Sequence, residues 1–230
     1  MNLDREQVAK AYQTALRVSR AQFFEVNTSL PVSLTDSAHI PYLGWVGKNY
    51  RGGTVLIAKN PGGGGDSQVE TTELDARVIA RLKALRDSEA ANASGLLDEL
   101  TDAYHTQLPT IGMGVLLNRV LSRAGEKLDR VTFFNACPYR TRNDEKLGAR
   151  MQRVSREVVA APLLKALNPD TIIYLGVEVG REASKTLKAH WTYVLPRAIN
   201  DRQLNKDAEP VSAQLEGDTP ARLMYRGTRG

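Results

Sequence analysis

Two asparagines, a run of glycines and a series of basic residues are the parts of this chain best equipped for chemistry. Asn60 follows the apolar run Thr54–Val55–Leu56–Ile57–Ala58 and Lys59, and it opens Asn60–Pro61–Gly62–Gly63–Gly64–Gly65. Asn135 closes a second apolar run, Val131–Thr132–Phe133–Phe134. Lacking Cβ atoms, Gly62 to Gly65 can take positive φ and let a ligand approach main-chain N–H groups, so a phosphate cradle is the first chemistry to test. A P-loop needs Lys and then Ser or Thr after its last glycine, but Gly65 is followed by Asp66 and Ser67. A dinucleotide fingerprint counted from Gly62 needs a glycine where Ser67 stands. Both nucleotide patterns fail. Each asparagine also has a plain structural use, Asn60 in an Asx turn and Asn135 as a buried amide bonded to backbone.

The basic series comprises Arg140, Arg142, Lys146, Arg150, Arg153 and Arg156. Lys146, Arg150 and Arg153 are spaced four and three apart and so share a helical face, with Leu147, Met151, Val154 and Val158 on the adjacent, core-directed face. The stripe reads either as a phosphate-contact surface or as a solvated face, because Asp144, Glu145 and Glu157 offset part of its charge. A polar loop, Arg197–Ala198–Ile199–Asn200–Asp201–Arg202, follows the last strong apolar run, Thr192–Pro196.

These groups need a scaffold to converge. The runs beginning at Thr54, Val131, Thr171 and Thr192 read as buried strands, and open α/β sheets place ligands at the carboxyl ends of such strands. Helices are expected over residues 4 to about 25, from Thr72 with an Asp75 capping box and a Leu74, Val78, Leu82, Leu85 stripe, over 94–107, over 115–121, and near 179–189. Between Asn27 and Gly53, Pro31, Pro41 and several glycines predict an ordered loop over one sheet edge. Its Tyr42, Trp45 and Tyr50 anchor it on the core or, less simply, stack on a base. Residues 211–214 and 222–225 are weak strand candidates. The expectation is one α/β domain over 1–230, with an N-terminal helical arm to about residue 50 and a helical insertion near 66–108.

Composition narrows the function classes. A net charge of +5 and pI near 9.3 favour an anionic partner such as nucleic acid. Cys137 is alone, which excludes an internal disulfide, and His39, His105 and His190 are scattered, which gives no metal-ligand pattern. No run reaches membrane-span length and the amino terminus is too charged for a signal peptide, so a cytoplasmic protein is expected.

In their order along the chain, these motifs resemble the uracil-DNA glycosylase superfamily. The order is strand and Asn60–Pro61–Gly62, then Gly112–Met113–Gly114 before an apolar helix, then Phe133–Phe134–Asn135. Leu167 to Gly176 and finally Val194–Leu195–Pro196 with its polar loop complete the series. The first motif is most similar to that of the mismatch-specific branch, and the resemblance covers about residues 54–205 without the insertion. It implies a three-layer α/β/α fold with a central, mainly parallel sheet of four or five strands, and DNA crossing the carboxyl ends of the strands. It also implies a monomer acting on duplex DNA with a flipped base, or on single-stranded DNA, and needing no cofactor or metal.

By the same resemblance Asn60 orients a water and Asn135 hydrogen-bonds the base edge, with Phe134, Pro61, Gly62 and Gly63 forming the pocket. A neutral amide is no strong base, so Asn60 can only position water against a sugar with oxocarbenium character. Many family members begin their last motif with His–Pro–Ser. Here stabilisation of the leaving base passes to Arg197, Asn200 or Arg202, and the lone Cys137 excludes the iron–sulfur branch. Gly62, where the uracil-restricted branch has an aromatic residue, implies a roomier pocket for modified or bulky pyrimidines, in repair or in defence against phage DNA. Two alternatives remain, a non-catalytic nucleic-acid-binding module on the same scaffold and an enzyme of free nucleotides.

Overall fold

A computed structural model describes residues 3–18, 40–59, 73–110, 126–138, 148–176 and 189–195, with 114, 117, 121, 179, 180, 183 and 187 between them. The apolar runs form the sheet. Its strands are β1 (Trp45–Val46), β2 (Thr54–Ala58), β3 (Thr132–Asn135), β4 (Thr171–Leu175) and β5 (Trp191–Leu195). They lie in the order β1-β3-β2-β4-β5, with β1 antiparallel to β3 and all other pairs parallel. Central β2 pairs on both edges and is buried at every position, as are its neighbours β3 and β4. Burial on both faces explains why these strands read as continuous apolar runs and not as alternating ones.

The segment before Gly53 lies at one sheet edge as expected, but it adds a short strand, β1, where only an ordered loop was expected. Two residues carry no periodicity, and this strand is held by tertiary contacts: the Trp45 ring stacks on Phe133 with centroids 4.8 Å apart and planes 20° from parallel. Gly44 admits the approach, because a Cβ there would overlap the Phe133 carbonyl. Tyr42, Trp45 and Tyr50 are all buried, so they anchor this segment on the core.

Helix α1 (Arg5–Leu16) begins where the Asp4 side chain accepts the Gln7 N–H at 3.0 Å. It ends well before residue 25, and Phe23 and Phe24 lie outside the described residues. Val8, Ala9 and Tyr12 are buried, and α1 packs against α2 (Glu73–Asp87), α3 (Ala90–Gln107) and α5 (Ala161–Leu167). Residues 114, 117 and 121 are helical, with Leu117 and Leu121 in the core. Past β4, Val179, Gly180 and Ala183 are helical but Leu187 and Ala189 are not, so that helix is shorter than the expected run to Ala189. The weak strand candidates at 211–214 and 222–225 lie outside the described residues.

Residues 149–167, between β3 and β4, form a helix with a defect. α4 (Ala149–Ser155) passes through a π-helical turn (Arg156–Ala160) into α5. Pro162, at the start of α5, explains the widening: it has no N–H to give to Val158, and its ring would strike that carbonyl in an unbroken α-helix. α5 ends at Asn168, whose left-handed φ of 42° turns the chain into β4. Among the described residues no helix is long and apolar enough to cross a membrane.

Candidate functional site

The sheet order selects one end of the molecule. From β2 the chain proceeds to β3 on one side, and from β4 it proceeds to β5 on the other, so the connections diverge at the adjacent strands β2 and β4. A crevice opens at the carboxyl ends of strands that diverge in this way. At that end Ala58 pairs in register with both Asn135 and Leu175. The pairing runs past the strands proper, since Ala136 N–H donates to the Ala58 carbonyl and Cys137 N–H to that of Lys59, each at 2.8 Å. Lys59 is the last described residue of this segment, and Asn60 follows it in the sequence.

Side-chain alternation divides these ends between the two sheet faces. On one face a small cavity, with room for about one water molecule, is lined by Lys59, Ala136, Cys137, Gln152, Arg156, Val179 and Ala183. Arg156 reaches it from the first residue of the π turn. Nearby, burial pushes the Tyr174 phenol far above its ordinary range, against the opposing influence of Arg156, so it stays protonated and donates to the Leu187 carbonyl at 2.7 Å.

On the other face stands a buried polar network. Asn135 Nδ2 donates to the Tyr42 carbonyl at 3.2 Å, and the Tyr42 N–H donates to the Pro138 carbonyl at 2.6 Å. At the far end of the same residue, the Tyr42 hydroxyl lies 2.8 Å from Asp75 Oδ1 and 3.0 Å from Gln107 Oε1. Gln107 Nε2 donates to the same Asp75 oxygen at 3.0 Å. Asp75 and Gln107 are buried with Asn135. A carboxylate taken from water is costly unless hydrogen-bonded, and these donors meet part of that cost.

No family model matches the chain, and no curated protein matches it.

The structure places four of the residues singled out by sequence. Asn135 is at the carboxyl end of β3 as expected, and its amide bonds the backbone of Tyr42. Phe134 is fully buried and, by alternation, points to the face opposite Asn135. Arg150 and Arg153 are exposed on α4, while Met151 is buried and Val154 and Val158 pack partly buried against the core, as the stripe predicted. Asn60, Pro61, Gly62, Gly63, Arg140, Arg142, Lys146, Arg197, Asn200 and Arg202 lie outside the described residues.

Lys59, Asp75, Gln107 and Gln152 enter the site without having been chosen as site residues from the sequence, while Arg156 of the basic series lines the cavity. For Asp75 a signal existed. It occupies the inward position of the stripe Asp75, Val78, Leu82, Leu85, where an apolar residue belongs, although its place in the first turn suggested only a cap. Among the described residues no group of His, Cys, Asp and Glu is arranged to hold a metal ion.

Proposed function

We propose that this protein is a DNA glycosylase, which flips a base out of DNA and hydrolyses its N-glycosidic bond to leave an abasic site. The observation that carries the reading is the register of Ala58 with Asn135, which brings the strand leading to Asn60 beside the strand that ends in a fixed, buried amide. The motif order supports it further, and so does the position of Asn135 at the end of the sheet where a parallel fold binds its ligands. The finer architecture proposed is the three-layer sandwich of the uracil-DNA glycosylase superfamily. The strand order supports this, because right-handed parallel crossovers in that order would run on opposite faces of the sheet.

In this reading Asn135 holds the edge of the flipped base, Asn60 positions water, and electrostatic stabilisation of the leaving base by Arg197, Asn200 or Arg202 supplies most of the rate. The protein recovers the few kcal/mol lost on unstacking through contacts in the pocket and along the phosphates, with Arg140, Arg142, Lys146, Arg150 and Arg153 as the phosphate surface. The substrate is a deaminated, mismatched or modified pyrimidine, admitted by the small side of Gly62 and Gly63. Incubation with uracil-containing, mismatched and base-modified DNA, followed by cleavage at abasic sites, tests this directly. Product with the native chain and none with Asn60→Ala supports the reading; no abasic product from any substrate defeats it.

The exposed Arg150 and Arg153 favour one second reading, a non-catalytic nucleic-acid-binding module. It predicts salt-sensitive binding that survives Asn60→Ala, with no base released.

A further inference from the structure

We infer that Asp75 and Tyr42 are positioning residues that set the orientation of the Asn135 amide; its use in holding a base rests on the glycosylase reading above. Tyr42 is fixed at three points. Its hydroxyl meets Asp75 and Gln107, its N–H donates to Pro138 just past β3, and its carbonyl receives Asn135 Nδ2. The ring itself packs edge-on to Tyr104, with centroids 5.6 Å apart. Asp75 is anchored on α2 and Gln107 ends α3, so two helices of the β2–β3 connection hold one residue that in turn holds the end of β3.

The chemistry of the amide makes this anchoring consequential. An asparagine side chain presents an acceptor on one side and donors on the other, and it can rotate by half a turn at little cost when nothing distinguishes them. Here a half turn would set Asn135 Oδ1 against the Tyr42 carbonyl oxygen at the present 3.2 Å, two acceptors with no hydrogen between them. The amide is thereby held in one orientation. The strength of that hold depends on how firmly Tyr42 is kept in place, and a hydrogen bond to a carboxylate is stronger than one between neutral groups. Asp75 acts on Asn135 through Tyr42 with no contact of its own required.

The test uses the full chain and reads the amide directly. In 15N-resolved NMR, with the Asn135 side-chain NH2 pair assigned by its loss in Asn135→Ala, the expected result is slow solvent exchange in the native protein. Asp75→Asn and Tyr42→Phe should accelerate it by about tenfold or more through weakened charge-assisted bonding, while the far-UV spectrum stays native. Unaltered exchange in folded Tyr42→Phe overturns the inference, and Tyr42→Phe decides alone should Asp75→Asn not fold. Rapid exchange already in the native protein overturns it too, with no variant needed. Single-turnover base release separates the inference from the reading beneath it. Faster amide exchange paired with a lower single-turnover rate constant in the same variants supports the positioning role, whereas absence of abasic product from the native chain defeats the glycosylase reading and leaves the NMR result standing.

Discussion

Asn135 at the carboxyl end of β3 donates its side-chain N–H to the backbone carbonyl of Tyr42, 3.2 Å away and 93 residues earlier in the chain. The bond ties the edge segment containing β1 to the strand end where the site is proposed. Asn135→Ala removes the donor and leaves a carbonyl in a buried setting without that partner, so the stability loss should be about 1–3 kcal/mol by urea denaturation. Base release, if the glycosylase reading holds, should fall about a hundredfold or more because one base-edge contact and its orientation vanish together. A variant of native stability and native activity would show the amide to be incidental.

Two glycines should respond in opposite directions to the same substitution. Gly44→Ala places a Cβ inside the Phe133 carbonyl, where only backbone can yield, so β1 should detach and the protein should be recovered poorly or with a much lower Tm. Gly95 is an exposed residue within α3 with open space around its missing Cβ. Gly95→Ala should therefore stabilise by about 0.5–1 kcal/mol, from helix propensity and reduced freedom of the unfolded chain. Thermal unfolding of the pair checks both, and equal effects would contradict the packing described.

Acid should destabilise the fold in part through His105. Burial lowers its pKa below the usual 6.5, outweighing Asp102 and Asp129, which pull it up; Lys48 lowers it further. Its Nε2 is buried without a hydrogen-bond partner, and its ring stands edge-on to Trp45 at 5.6 Å. As pH falls through about 6.5 the unfolded chain takes up a proton that the folded chain resists, so stability is retained above that pH and declines below it. His105→Phe should flatten this part of the profile. Urea midpoints measured from pH 7.5 down to 5 would count against the assignment if the two proteins gave parallel curves.

Arg150 and Arg153 are exposed on α4. Replacing both with Gln should weaken binding to DNA of any sequence and reduce the slope of log K against log salt by up to about two. Fold stability should change little, since surface substitutions usually remain within about 0.5 kcal/mol. Unchanged salt dependence would return the stripe to the role of a solvated face.

The main elements follow from local physics and can be read in the sequence. Short apolar, β-branched runs bounded by turn residues gave β2 to β5, and the stripe through Val78, Leu82 and Leu85 gave α2. Those signals are strong because one or both faces of each element must leave water, which writes a period into the chain. The left-handed end of α5 falls on Asn168, one of the few residue types that accept that backbone conformation.

What required the tertiary structure was every relationship between distant residues. β1 has too few residues for a period and exists because Trp45 finds Phe133 and Gly44 lets the backbones meet. The π turn follows from Pro162 only once the residues on both sides are known to be helical. Asp75 looked like a helix cap, and only folding showed it buried against Tyr42 and Gln107, 33 and 32 residues away. The sequence alone determined which segments bury apolar surface and which residue types sit at strand ends. Strand order and register decided which ends adjoin, and so placed Ala58 beside both Asn135 and Leu175, because pairing between strands depends on the packing of the whole domain and not on any one segment.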